Sequence, residues 1–160
     1  MSELAFLSVD RARTGGGFEP RFNSPLTRAL GRTTRVRDLS SLGKIEVRGD
    51  LAAIDVDAEV VRLGPRRALV LCEYERCADL RNRLPGVVID MTAALAGLEL
   101  EDERALRRLT DLDLDALPAA GKVAAVPAIV LRAGDRFRIF FPQEFGHYVA
   151  EVVLDVLEGP

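Results

Sequence analysis

Apolar and polar positions along this chain keep two rhythms, and the rhythm changes mark its elements. In Lys44–Arg48, Ile45 and Val47 alternate with Lys44, Glu46 and Arg48, the two-residue period of a strand with unlike faces. Strands are also predicted over 35–39, 58–63, 67–72, 87–92, 96–101, 122–126, 128–132 and 136–141. The unbroken apolar run Leu69-Val70-Leu71 implies a strand covered on both sides. Helical spacing appears three times. Cys77, Leu80 and Leu84 fall at i, i+3 and i+7 within 75–84, and Pro85-Gly86 stops that helix. Asp102 is placed to cap a helix that presents Ala105, Leu106 and Leu109. Phe145, Tyr148, Val149, Val152, Val153 and Val156 form a broad stripe over 143–158. Residues 111–115 alternate acid and leucine, which predicts an extended segment, and 118–121 read as a turn. Strands cluster and helices follow them, so the expected class is α+β with mainly antiparallel sheets.

The pattern repeats. Sliding Val60-Val-Arg-Leu-Gly-Pro-Arg-Arg-Ala-Leu-Val-Leu71 forward by seventy positions lays Arg62 on Arg132, Gly64 on Gly134 and Arg66 on Arg136. Val36-Arg-Asp-Leu-Ser40 likewise matches Val88-Ile-Asp-Met-Thr92, and Ile45-Glu-Val47 matches Leu98-Glu-Leu100. Two matches in the same order predict one β/α unit duplicated into a pseudo-two-fold domain, residues 35–160, with repeats 35–85 and 87–158. Residues 1–34 differ. Gly15-Gly-Gly17, Pro20 and Pro25 break every periodicity there, and Arg11, Arg13, Arg21, Arg28 and Arg32 make the segment basic. It reads as a solvated or docked arm, with an acidic partner surface as the sharper reading.

Composition narrows the functional classes. A chain of 160 residues can bury a core without disulfides or metal, and 48% apolar with 29% charged residues is a globular balance. A net charge of −3 and the absence of tryptophan argue against nucleic acid and anionic lipid. The first ten residues lack the features of a signal peptide, and no window is long and apolar enough to cross a bilayer, so a cytoplasmic protein is expected. Cys72 and Cys77 lack zinc spacing and are expected to be reduced and structural.

Candidate chemistry is sparse. His147, the only histidine, lies on the last predicted helix. Ser40 and Ser41 stand near Asp38 without the glycines of a nucleophile elbow. Asp111, Asp113 and Asp115 lack the glycine and closing glutamate of a calcium loop. Asp38 and Asp90 occupy equivalent places in the two repeats, each two residues before a hydroxyl (Ser40, Thr92). Capping at a strand end and a paired-carboxylate site are both open for them. Arg132 and Arg136 flank one hairpin turn, and Arg62 and Arg66 the other, as cross-strand surface charges or as binders of a carboxylate.

The run from Asp38 to Gly49, Val88-Ile-Asp90, Leu98-Glu-Leu100, Val126-Pro-Ala-Ile-Val-Leu-Arg132, Phe137-Arg-Ile139 and Phe145-Gly-His-Tyr148 resembles the folate-binding aminomethyltransferase superfamily. Length and the 126–141 run are most similar to the gamma subunit of heterotetrameric sarcosine oxidase within it. The resemblance implies a duplicated β/α domain, which agrees with the repeat. No strand here matches the superfamily's Gly-Gly-Val-Ile-Asp-Asp catalytic segment, and Ala133, Asp135 and Arg138 stand where its pterin-reading strand would fall. The resemblance therefore implies a non-catalytic subunit that docks on a larger flavoenzyme. That partner, and not this chain, would hold FAD, FMN and NAD, and homo-oligomer contacts are a substitute. A tetrahydrofolate-binding protein is the second reading, and a folate-dependent aminomethyltransferase the third. Ligand candidates are Asp38, Asp90, Arg132 and Arg136; interface candidates are Arg28, Arg32, Arg62 and Arg66.

Overall fold

Among the described residues, nine strands and four helices follow one another along the chain. The computed structural model describes residues 23–31 and 33–159. A short helix α1 (Thr27–Leu30) leads into β1 (Val36–Asp38), β2 (Gly43–Arg48), β3 (Glu59–Gly64), β4 (Arg67–Cys72) and α2 (Cys77–Arg83). Then come β5 (Val87–Asp90), β6 (Leu95–Leu100), α3 (Glu103–Leu109), β7 (Ala119–Val123), β8 (Val126–Ala133), β9 (Arg136–Pro142) and α4 (Gly146–Glu158).

The strands form two antiparallel sheets, ordered β3-β4-β2-β5 and β1-β6-β9-β8-β7. The first set, β1 to α2, and the second, β5 to α4, each lend their first strand to the other sheet: β1 pairs with β6, and β5 with β2. Replacing β1, β2, β3 and β4 by β5, β6, β8 and β9 turns the first order into the second, with β7 as an added edge. Residue pairing follows the same substitution. Ile45↔Val70 becomes Leu98↔Ile139, Val47↔Ala68 becomes Leu100↔Phe137, and Ile45↔Asp90 becomes Leu98↔Asp38.

Pleating sorts the strand residues into three apolar layers. Ile45, Val47, Ala68, Val70 and Cys72 pack under α2 with Cys77, Leu80 and Leu84. Leu98, Leu100, Val130, Phe137, Ile139 and Phe141 pack under α1, α3 and α4. Leu39, Val61, Leu69, Leu71, Ile129, Leu131 and Phe140 lie in a third cluster, on the opposite faces of their strands, between the sheets. The molecule is thus layered helix, sheet, sheet, helix. This is why Leu69-Val70-Leu71 runs without a polar break: successive side chains enter different apolar layers.

Several expectations are corrected. The returning strands correspond with an offset of 69, not seventy: Ala68 takes the place of Phe137, and Arg67 that of Arg136. A bulge between Arg62 and Gly64 absorbs the extra residue, so Gly64 does not match Gly134. Residues 119–121 belong to β7 rather than a turn, and the turn falls at Ala124-Ala125, both at positive φ (50° and 65°). Residues 114–116 form a single 3₁₀ turn, its N–H at Asp115 bound by the Asp113 carboxylate, instead of an extended segment. The last helix opens with a 3₁₀ turn at Gln143–Phe145 before α4 begins. The N-terminal arm is described from residue 23. Its α1 packs on α4, with Pro25 and Leu26 filling the space that a side chain at Gly146 would need.

Candidate functional site

Where the sets exchange strands, the backbone does the same thing twice. Leu39 N–H donates to the Gly97 carbonyl at 2.8 Å, and Met91 N–H donates to the Lys44 carbonyl at 2.8 Å. Asp38 turns its carboxylate onto the N–H of Ser40 at 2.8 Å, and Asp90 onto the N–H of Thr92 at 2.9 Å. The hydroxyls then reach the other set: Ser40 Oγ accepts from Gly97 N–H at 3.3 Å, and Thr92 Oγ1 from Lys44 N–H at 3.0 Å. The sequence signal for this was the Asp-x-Ser/Thr spacing, in which the side chain closes a turn on the residue two along. Asp90 also meets Arg81 at 3.1 Å. Burial pushes the Asp90 pKa up, but the N–H and hydroxyl of Thr92 and the charge of Arg81 outweigh it, and the net shift is down. The two aspartates lie on strands of different sheets.

Between the sheets runs a charged seam that sequence reasoning missed. Glu46 and Glu99 stand at matching positions in β2 and β6, each only 3% exposed. Glu46 accepts from Arg67 at 2.8 Å and is paired with Arg48. Glu99 accepts from Arg138 at 2.8 Å and from Arg136 at 3.4 Å, with Arg37 3.8 Å away. Arg138 continues to Glu59 at 2.7 Å, which ties β9 of one sheet to β3 of the other. Burial raises the pKa of both buried glutamates, and the arginine hydrogen bonds and charges overcome it, leaving each below the usual carboxylate range. The available signal was one glutamate at the same place in two strands whose neighbours are apolar.

Lys44 fills the other end of the seam with its side chain fully buried. Its ammonium donates to the carbonyls of Ser40 at 2.8 Å and Leu42 at 2.6 Å. Burial lowers its pKa to about 8, partly opposed by Cys77, Asp38 and Asp90. Cys72 and Cys77 are free and buried beside it, and Cys77 Sγ lies 3.3 Å from Thr92 Oγ1. Burial and the neighbouring thiol push Cys72 up to about 11, where it is a poor nucleophile at neutral pH.

The predicted arginines divide. Arg62 and Arg132 line one crevice of about 340 Å³, with Glu59, Val61, Pro118 and Leu131. Arg132 lies 4.6 Å over the Phe137 ring and reaches Glu103 at 3.3 Å and the Leu114 carbonyl at 3.4 Å. Arg62 reaches the Leu51 carbonyl at 3.4 Å. Arg136 is not with them; it joins the seam through Glu99 and Glu101. Arg28 and Arg66 are exposed, and Arg32 lies outside the described residues. His147 meets Glu151 at 3.1 Å on the outer side of α4. Among the described residues no three His, Cys, Asp or Glu side chains converge as metal ligands, and no helix is long and apolar enough to cross a membrane. The ionisable groups of the seam are bound to one another, an arrangement suited to holding two sheets together.

No protein-family model and no curated protein matches this chain. Solved structures do. A chain of the heterotetrameric sarcosine oxidase from Corynebacterium sp. U-96, in complex with pyrrole 2-carboxylate, superimposes with a TM-score of 0.65 at 20% identity, over 85% of this chain and 94% of that one. The ligand-free regulatory subunit of aspartate kinase from Thermus thermophilus gives 0.53 at 11% identity, over 78% and 99%. Nearly all of the first neighbour is matched, so it is a chain of similar size. The protein has the fold of a small chain of heterotetrameric sarcosine oxidase.

Proposed function

We propose that this chain is a non-catalytic subunit of the sarcosine oxidase gamma type, which docks on a larger flavin-dependent amine oxidase in the cytoplasm and stabilises it. The observation that carries the reading is the match over almost the whole of a chain from such a heterotetramer. The matched ladders and reciprocal strand exchange support a duplicated, pseudo-two-fold unit of the folate-binding aminomethyltransferase type as its scaffold. FAD, FMN and NAD belong to the partner in this reading. The candidate carboxylates support it too, since Asp38 and Asp90 are occupied by backbone N–H groups.

Co-expression with the large subunit of a heterotetrameric sarcosine oxidase tests the proposal. The chain should copurify in fixed ratio and raise the melting temperature of the large subunit. A large subunit that assembles, binds its flavins and turns over equally well without it would defeat the reading. The crevice lined by Arg62 and Arg132 favours a second one, a tetrahydrofolate binder whose glutamyl carboxylate meets those guanidinium groups. Calorimetric titration with folinate distinguishes the two: saturable micromolar binding, lost in Arg62→Ala with Arg132→Ala, would establish the binder.

A further inference from the structure

The four sheet edges are not protected alike. Edge β1 carries the exposed Arg37 and has α1 alongside. Edge β3 carries Glu59, Arg62 and a bulge. Edge β7 carries the exposed Lys122. Charges and bulges at such places keep other strands from adding. Edge β5 reads Val87-Val88-Ile89 before its first charge, Asp90, which is already held by Arg81, and Val87 is 60% exposed.

The hydrogen-bond phase of β5 follows from its neighbour. Met91 N–H donates to the Lys44 carbonyl, so that position is a hydrogen-bonded pair of the antiparallel ladder. Hydrogen-bonded and open pairs alternate. Ile89 and Val87 therefore turn their backbone groups toward Glu46 and Arg48, and Val88 and Asp90 turn theirs outward, where no described strand pairs with them.

We propose that β5 is a strand-addition edge and that a second copy of this chain occupies it, antiparallel, about a two-fold axis through Val88. Residues facing each other across an antiparallel pair lie on the same side of the sheet, so the axis must pass through a residue rather than between two. The outward groups of Val88 and Asp90 allow an axis at Val88, Ile89 or Asp90; an axis at Asp90 would set two carboxylates face to face, and one at Ile89 would set each Val88 against the Asp90 carboxylate of the other copy. At Val88 the two valines exchange N–H and carbonyl reciprocally. Val87 then faces Ile89 of the second copy, and Asp90 offers its backbone to Gly86 of the second copy. The central facing side chains are all β-branched and apolar, which suits a cross-strand pair. The product is one eight-stranded sheet. Helix α2, whose Arg81 reaches β5 at Asp90, would approach its counterpart and add area to a strand pair that alone falls short of the ~1,200 Å² of a stable interface.

Sedimentation equilibrium of the isolated full chain, from low to high micromolar concentration, tests this. A monomer–dimer equilibrium is expected. Val87→Lys, at an exposed side chain, should weaken it by at least about tenfold, some 1.4 kcal/mol. Val88→Pro removes only an outward N–H and should do the same, with circular dichroism and melting to check that each variant folds. Arg37→Ala on edge β1 should leave the equilibrium where it was. A chain that is monomeric throughout, or a dimer that Val87→Lys does not weaken, overturns the inference. The proposed function would survive that result, because its own test is copurification with a larger subunit.

Discussion

The two strand crossings share a backbone and differ in what fills them. At one, Gly97 faces Phe140 across the ladder, and a Cβ on Gly97 would come 2.7 Å from the Phe140 ring. At the other, Lys44 faces Leu71, and the missing ring volume is taken by the lysine side chain itself. Ser40 and Thr92 make the same reciprocal hydrogen bond in both. What the fold demands here is a hydroxyl for one crossing N–H and filled space between the sheets. An aromatic ring or a buried ammonium with two carbonyl partners meets the second demand. The difference is energetic: the ring crossing is apolar and insensitive to pH, and the lysine crossing is not.

The sharpest test of that comparison is at the buried glutamates. Glu99→Ala would take the buried acceptor from Arg138, whose side chain is only 24% exposed, and leave it Glu59 alone across the sheets, at a cost of about 2–3 kcal/mol. Glu46→Ala frees Arg48 and Arg67, which are 58% and 44% exposed and can return to water, so about 1–2 kcal/mol is expected. Urea unfolding of both variants checks the order, and equal losses would remove the distinction. Acid gives the same ranking. The depressed glutamates contribute stability that is present above their unfolded pKa near 4.5 and lost as pH falls below it. Glu99→Gln should flatten that acid slope more than Glu46→Gln.

Lys44 gives the alkaline counterpart. Its folded pKa of about 8 lies below the unfolded 10.5, so between those values the unfolded chain holds more protons. Stability therefore rises with pH from about 8 toward 10.5, by at most ~3 kcal/mol from this group. Cys72 works the other way: raised from 9.0 to about 11, it lowers stability as pH climbs through that interval. The window between pH 8 and 9 belongs to Lys44, and melts there should lose their upward trend in Lys44→Met. A wild-type slope that survives the substitution would mean the ammonium is better solvated than its burial indicates.

The glycine at the ring crossing comes next. Gly97→Ala drives a methyl into Phe140 and to within 3.2 Å of Leu39, and overpacking of this kind costs about 1–3 kcal/mol. Pairing it with Phe140→Leu should recover most of the loss, because leucine is what the other crossing carries at Leu71. Without that recovery the two crossings are not interchangeable in volume.

How far the sequence led can be judged at the same residues. Alternation found β2, and the unbroken apolar run Leu69-Val70-Leu71 found β4, because each strand buries a regular set of side chains. The Asp38/Asp90 correspondence led to the crossings through local turn chemistry. The seam stayed hidden because Glu46 and Glu99 lie on the polar faces of strands, and only a second sheet, which periodicity does not reveal, buries them. The hairpin match was one residue out because aligning Gly64 with Gly134 ignores the bulge. Strand β7 was half missed because Ala119, Ala120 and Gly121 have neither branched nor aromatic side chains, and Pro118 beside Gly121 imitates a turn.

Strand β7 also marks where the comparison between the sets ends, since the first set has nothing in its place. Its hairpin to β8 turns at Ala124 and Ala125, both left-handed, where a two-residue turn of this kind ordinarily takes asparagine and glycine. The strain is held by the rest of the molecule: Ala124 N–H donates to the Leu109 carbonyl at 2.8 Å, and Tyr148 Oη donates to the Ala124 carbonyl at 3.2 Å. Replacing Ala125 by glycine relieves the steric part and gives back some chain entropy, for a net gain of about 0.5–1 kcal/mol, or ~3 °C in melting temperature. Tyr148→Phe should cost a similar amount in the native chain and less in the Ala125→Gly background, if the hydroxyl holds the turn against its strain. Additive effects would show instead that the tyrosine and the turn are independent, and that β7 keeps its hairpin through the ladder to β8 alone.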